Sequence, residues 1–133
     1  MTDSLKVDSP SSDRLDRLER WWTVVRVRNS LELLVDYGQR CARLAARGEE
    51  TIRKDPDLCA AAHLYVERIG ETANRLPAEF RADFPDVPWK SLVGMRVRLA
   101  HHYEAVDDNV VLNALFGFVP ELFGLMGLDL TEP

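Results

Sequence analysis

Apolar residues recur every three or four positions along most of the chain, a period that packed α-helices satisfy and strands do not. From Ser12, under a Ser or Asp cap, the series Leu15, Leu18, Trp21 or Trp22 and Val25 begins it. Leu31, Leu33, Leu34, Tyr37, Cys41 and Leu44 carry it to Arg47, where Gly48 offers a stop. A polar break over residues 49–54 separates this helix from the next. Asp55 or Asp57 caps that second helix, whose buried stripe reads Leu58, Ala61, Leu64, Tyr65, Ile69, Ala73 and Leu76. Pro77, Pro85 and Pro88 bracket a loop with one short helical turn over residues 78–84. Trp89 or Ser91 opens a third helix with Leu92, Met95 and Leu99 facing inward. A fourth starts near Asp107 or Asp108 and runs through Val110, Val111, Ala114, Leu115 and Phe118, with Pro120 expected to kink or restart it. Seven Gly and seven Pro are too few for the regular turns of an all-β chain. The expectation is an all-α antiparallel four-helix bundle: a flexible leader over 1–11, then one domain over 12–133.

Length and charge narrow the function classes. A chain of 133 residues suits one core. The reading finds no signal-peptide core and no uninterrupted apolar run of membrane-spanning length, so it expects a cytoplasmic protein without a membrane. Cys41 and Cys59 lack the spacing of a metal site and read as free thiols on helices. A net charge of −5 disfavours coating of nucleic acid in general, yet its distribution is uneven. Lys90, Arg96 and Arg98 stand together without an acid, while residues 104–133 hold six acids and no Lys or Arg.

There is no phosphate-binding glycine loop, dinucleotide fingerprint, nucleophile elbow or H-E-x-x-H motif. The imidazole supply is His63, read as structural, and the adjacent pair His101 and His102. The stretch W-K-S-L-V-G-M-R-V-R-L-A-H-H-Y from Trp89 to Tyr103 resembles the signature of HepT-like toxins of the HEPN superfamily: Arg, four residues, His, one residue, Tyr. I-G-E-T-A-N-R-L from Ile69 to Leu76, F-P-D-V-P-W from Phe84 to Trp89, and Val106-Asp107 extend the resemblance over roughly residues 27–126.

The resemblance implies a HEPN-type bundle and a homodimeric, metal-independent endoribonuclease that needs no cofactor and uses the RNA's own 2′-hydroxyl as nucleophile. It further implies the toxin half of a toxin-antitoxin system, whose antitoxin is a minimal nucleotidyltransferase. Arg96 and His101 are then the catalytic pair and Tyr103 the acceptor of an AMP group from the partner. Glu71, Arg98 and His102 are supporting candidates, and Glu71 reads equally as a solvated residue. Imidazole exchanges protons near neutrality, and a guanidinium fork holds a phosphate. Trp89 is a packing anchor. On a regular helix Arg96 and His101 lie about 140° apart, so the pair is completed by a helix distortion or across the dimer. The dimer expectation brings two third helices together near Met95 and Leu99. Where the family usually has Asn after the motif Arg, this chain has Val97. The alternative reading is therefore a catalytically silent HEPN-like module that binds the nucleotidyltransferase or a nucleotide.

Overall fold

The structure, a computed structural model, describes residues 10–101 and 108–130, with the side chains of residues 10–15, 98, 100 and 101 outside the described set. Along the chain run α1 (Pro10–Trp22), α2 (Val25–Ala45), α3 (Glu49–Lys54), α4 (Pro56–Asn74), α5 (Ala78–Asp83) and α6 (Trp89–His101). After them α7 (Asp108–Asn113), a π-helical turn (Ala114–Phe118) and α8 (Val119–Met126) form one interrupted helix. The described residues contain no strand, and the all-α bundle stands.

Helix α1 already includes Pro10 and Ser11, ahead of the expected start at Ser12. Thr23 and Val24 then break the chain. The Thr23 hydroxyl donates to the Arg20 carbonyl at 2.9 Å, and extended Val24 precedes the first turn of α2, so α1 is a separate helix. It docks through Trp21, whose indole N–H donates to the Asp83 carboxylate at 2.7 Å and whose ring meets Phe80 edge-on at 5.6 Å. Phe80 stacks on Phe84 and touches Trp89. The Trp89 indole donates to the carbonyls of Arg81 and Phe84 at 3.1 and 3.0 Å, anchoring the entrance of α6 as expected.

Two sequence readings need correction, and a third holds. The stretch 49–54 is helical: Ile52 drops into the core, and Arg53–Glu49 and Lys54–Glu50 ion pairs one turn apart line its outer side. Leu33 and Leu64 point outward at 39% and 44% exposure. The true stripe of α4 is Ala62, Val66, Ile69, Gly70 and Ala73, because the period admits two neighbouring faces and neighbours decide between them. Pro120 stands, as expected, where the last helix restarts. The widened π turn ahead of it releases the carbonyl its ring would strike, and it sits in the first turn of α8.

Other local signals hold. Gly48 ends α2 and its successor turn with φ +93°. The Asp55 carboxylate accepts from the backbone N–H groups of Asp57 and Leu58 at 2.9 and 3.4 Å with Pro56 at the first helical position. The run Asp108–Met126 is 19 residues long and apolar enough to cross a membrane by length and composition, and 44% of it is buried inside this bundle. The sequence reading passed over it because Asn109, Asn113 and Glu121 interrupt the apolar residues.

Helix α4 is central, flanked by α2 on one side and α6 on the other. Tyr37 and Tyr65 pair their rings between α2 and α4. On the other side Gly70 faces Arg96 and Leu92 of α6, while the Cys59 thiol lies 3.9 Å from the Asp108 carboxylate at the start of α7. Both cysteines are free thiols. Burial pushes the Cys41 thiol up to about 12. An unfolded chain loses that proton near 9, the folded one near 12, so the stability contributed by the buried neutral thiol is present below pH 9 and lost on rising to 12. Between pH 8 and 10.5 the urea midpoint of the wild type is expected to fall further than that of Cys41→Ala, measured side by side.

Candidate functional site

The C-terminal half of α6 carries the motif, and its backbone stays helical through His101. Helical geometry alone therefore sets the relation between the two central positions. Arg96 shares a side with the buried residues Leu92 and Leu99 and lies against α4. Position 101 falls about 140° round the helix, in the row Lys90, Gly94, Val97. That row is exposed at its three described members. No distortion at Ala100 brings positions 96 and 101 onto one face.

Arg96 owes its seat to Gly70. A β-carbon at position 70 would stand 3.2 Å from Cβ of Arg96, so the missing side chain lets the arginine stem lie directly on α4. The residue is half-buried, and its Nε is buried with no hydrogen-bond partner among the described residues. No carboxylate compensates this guanidinium among the described residues. An uncompensated, half-buried fork is suited to an incoming anion, which can take two parallel N–H bonds at once.

Glu71 is turned away from this contact. Its carboxylate accepts from Arg75 one turn along α4 at 2.8 Å. The α4 row through Gly70 reads Cys59, His63, Glu67, Gly70 and Asn74 by helical spacing, meeting Arg96 of α6 at Gly70 and Asp108 of α7 at Cys59. His63 and Glu67 are half-buried on it. Sequence reasoning missed Glu67, and it had no means of finding it, since the partner of each α4 face is a tertiary fact.

Arg98 has a described backbone only, and His102 and Tyr103 lie outside the described residues. Val97 is 41% exposed. Met95 and Leu99 are 5% and 1% exposed within a single chain, which corrects the expected dimer surface: they are already spent in the core and have nothing left to bury. Among the described residues no group of three or more His, Cys, Asp or Glu could hold a metal ion.

Comparison with known proteins places this geometry. Residues 34–126 match the model of a family described as ribonuclease HepT-like. A candidate RNase of Caldanaerobacter subterraneus subsp. tengcongensis is 40% identical over 73 residues, 55% of this chain and 65% of that protein. A candidate RNase of Methanocaldococcus jannaschii is 33% identical over 67 residues, 50% of this chain and 55% of its own. A candidate ribonuclease HepT of Thermococcus cleftensis is 34% identical over 59 residues, 44% of this chain and 54% of its own. The chain thus spans between about half and two thirds of the length of these relatives. No solved structure matches it. An α-helical bundle with its motif arginine seated across α4 and α6, matched over residues 34–126, belongs to the HepT-like ribonuclease family of HEPN proteins.

Proposed function

We propose that the chain is a metal-independent endoribonuclease acting in the cytoplasm as the toxin of a toxin-antitoxin pair. The observation that carries this reading is Arg96, a half-buried guanidinium with an unpartnered Nε on the α4–α6 seam of a HepT-like bundle. The scissile phosphate of RNA is the anion such a fork suits. An imidazole at position 101 takes the proton of the 2′-hydroxyl as that oxygen bonds to phosphorus. The bond from phosphorus to the 5′-oxygen breaks and that oxygen takes up a proton from water, leaving a 2′,3′-cyclic phosphate on one fragment and a 5′-hydroxyl on the other, while the imidazolium returns its proton to solvent. Arg96 offsets the charge that builds on the phosphoryl oxygens, and no metal enters the balance. Labelled RNA incubated in EDTA tests this: cleavage with those two ends is expected, and cleavage only after a divalent ion is restored overturns it.

Because Arg96 lies against α4 and position 101 falls about 140° round the helix from it, the reading includes a homodimer in which the row Lys90, Gly94, Val97 and position 101 meets its own copy. A β-carbon on Gly94 would touch nothing within 4 Å, so the row is open to close approach. Arg98 and His102 support the cleft without taking the proton.

Neutralisation is assigned to the minimal nucleotidyltransferase, with Tyr103 as acceptor. The phenol oxygen attacks the α-phosphate of ATP, pyrophosphate leaves, and the AMP phosphodiester adds a negative charge that competes for Arg96. Intact mass after incubation with the partner, ATP and Mg²⁺ is expected to rise by whole AMP units. Tyr103→Phe is expected to show none, and AMP masses that persist in it exclude this tyrosine.

A second reading is favoured by one observation. Val97 offers an exposed apolar side chain where the family usually presents an amide. A silent module that binds the nucleotidyltransferase or a nucleotide would have that surface. Val97→Asn separates the two. A working enzyme short of one polar contact gains about fivefold to tenfold in cleavage rate, the worth of roughly one net hydrogen bond, whereas a silent module stays silent.

A further inference from the structure

On the side of α4 opposite Arg96, the last turns of α2 and the first turns of α4 enclose a cleft of about 310 Å³. Its wall is made of Arg40, Arg43 and Arg47 with Leu44 from α2 and its end, and of Leu58, Ala61 and Tyr65 from α4. Three guanidinium groups line it and no carboxylate does, in a chain whose net charge is −5. The arginines stand at steps of three and four residues, so they form one row along the helix. They are also oriented. Arg40 is held by Asp36 at 3.1 Å with the Tyr65 hydroxyl in reach, and Arg43 has a partner of its own. A guanidinium carries five N–H donors, so a single partner leaves most of them available. The opposite wall is apolar and aromatic.

We propose that this cleft binds one nucleotide unit of single-stranded RNA, its phosphate on the arginine row and its nucleoside against Tyr65, Leu58 and Ala61. Cationic rows with an aromatic face beside them suit single strands, since every base has a face to stack and every linkage a charge. The cleft also lies at the right end of the bundle. The cleft and Arg96 lie on opposite sides of α4, a helix about 10–12 Å across, and Tyr65 of the cleft stands one to two turns along it from Gly70, where Arg96 sits. RNA held there would extend toward Arg96. The choice of ligand rests on the ribonuclease reading, and the experiment keeps the two apart.

The probe is a fluorescein-labelled 2′-O-methyl RNA oligonucleotide of mixed sequence, which lacks the nucleophile and cannot be cleaved, read by anisotropy over a salt series with the full chain. Arg43→Gln/Arg47→Gln is expected to weaken binding roughly tenfold or more and to lower the salt slope by about 0.7, the one phosphate contact that the row makes on a single strand. Tyr65→Ala weakens binding severalfold. The control Arg26→Gln/Arg28→Gln removes the same charge from the other end of α2 and is expected to stay within about twofold. Melting curves confirm that each variant folds, and a variant that does not is replaced by Arg47→Gln alone, whose side chain is exposed. Absence of binding by the wild type, unchanged affinity and slope in the double variant, or an equal loss in the control overturns the proposal. So does a double variant that binds the oligonucleotide normally but no longer captures the nucleotidyltransferase, since the cleft is then a protein interface. A wild type that binds through these arginines yet never cleaves RNA sinks the ribonuclease reading and leaves the cleft standing. A wild type that cleaves while its binding ignores the arginines does the reverse.

Discussion

Arg96→Ala and His101→Ala are each expected to lower single-turnover cleavage of RNA by at least about 10²-fold and to abolish growth arrest on overexpression. His102→Ala is expected to retain most of the rate. The first variant removes the charge that meets the phosphate, the second the group that moves the proton, and unchanged melting curves separate both from loss of fold. Wild-type toxicity of His101→Ala would move the protein to the silent-module reading. Geometry sharpens the test. The backbone of α6 is helical through His101, which sets the two positions about 140° apart round it. In a composite site one copy supplies Arg96 and its partner position 101. Mixing inactive Arg96→Ala with inactive His101→Ala then rebuilds one intact cleft in each mixed dimer, about a quarter of wild-type activity at random pairing. No recovery on mixing would place both groups in one chain and remove the composite site.

The second large effect is on stability. Gly38→Ala is expected to cost about 2 kcal/mol, a fall of roughly 6–12 °C in Tm, although Ala is the better helix former by about 1 kcal/mol. Gly38 is buried in α2, and a β-carbon there would overlap the ring of Phe123 and lie 2.6 Å from Cδ2 of Leu130. Phe123 is fully buried and has no room to retreat, so the last helix must back away from α2. Gly124→Ala, in α8 where the added carbon meets nothing within 4 Å, is expected to gain up to about 1 kcal/mol. Thermal melts of the two variants should move in opposite directions. A neutral Gly38→Ala would show that α2 and α8 are less closely packed than described.

What the sequence by itself determined is whatever rests on neighbours along the chain. Asp55 followed by Pro56 specifies a helix start through its own backbone N–H groups. Gly48 ends a helix because its φ of +93° is one that other residues resist. The three-to-four period marks out helices, and the Arg-x4-His-x-Tyr spacing with its flanking segments marks out the family. The same period left Leu33 and Leu64 on the wrong side, and the charged stretch 49–54 concealed a helix that Ile52 alone holds to the core. Only the tertiary structure decided which face of α4 meets α6, hence that Gly70 seats Arg96 while Glu71 turns to Arg75. It also decided that Met95 and Leu99 belong to the core of one chain, and that arginines of α2 share a cleft with a tyrosine of α4. The physical reason is the same each time: periodicity tells a residue's direction from its own helix axis, whereas what lies in that direction depends on the close packing of helices distant in sequence.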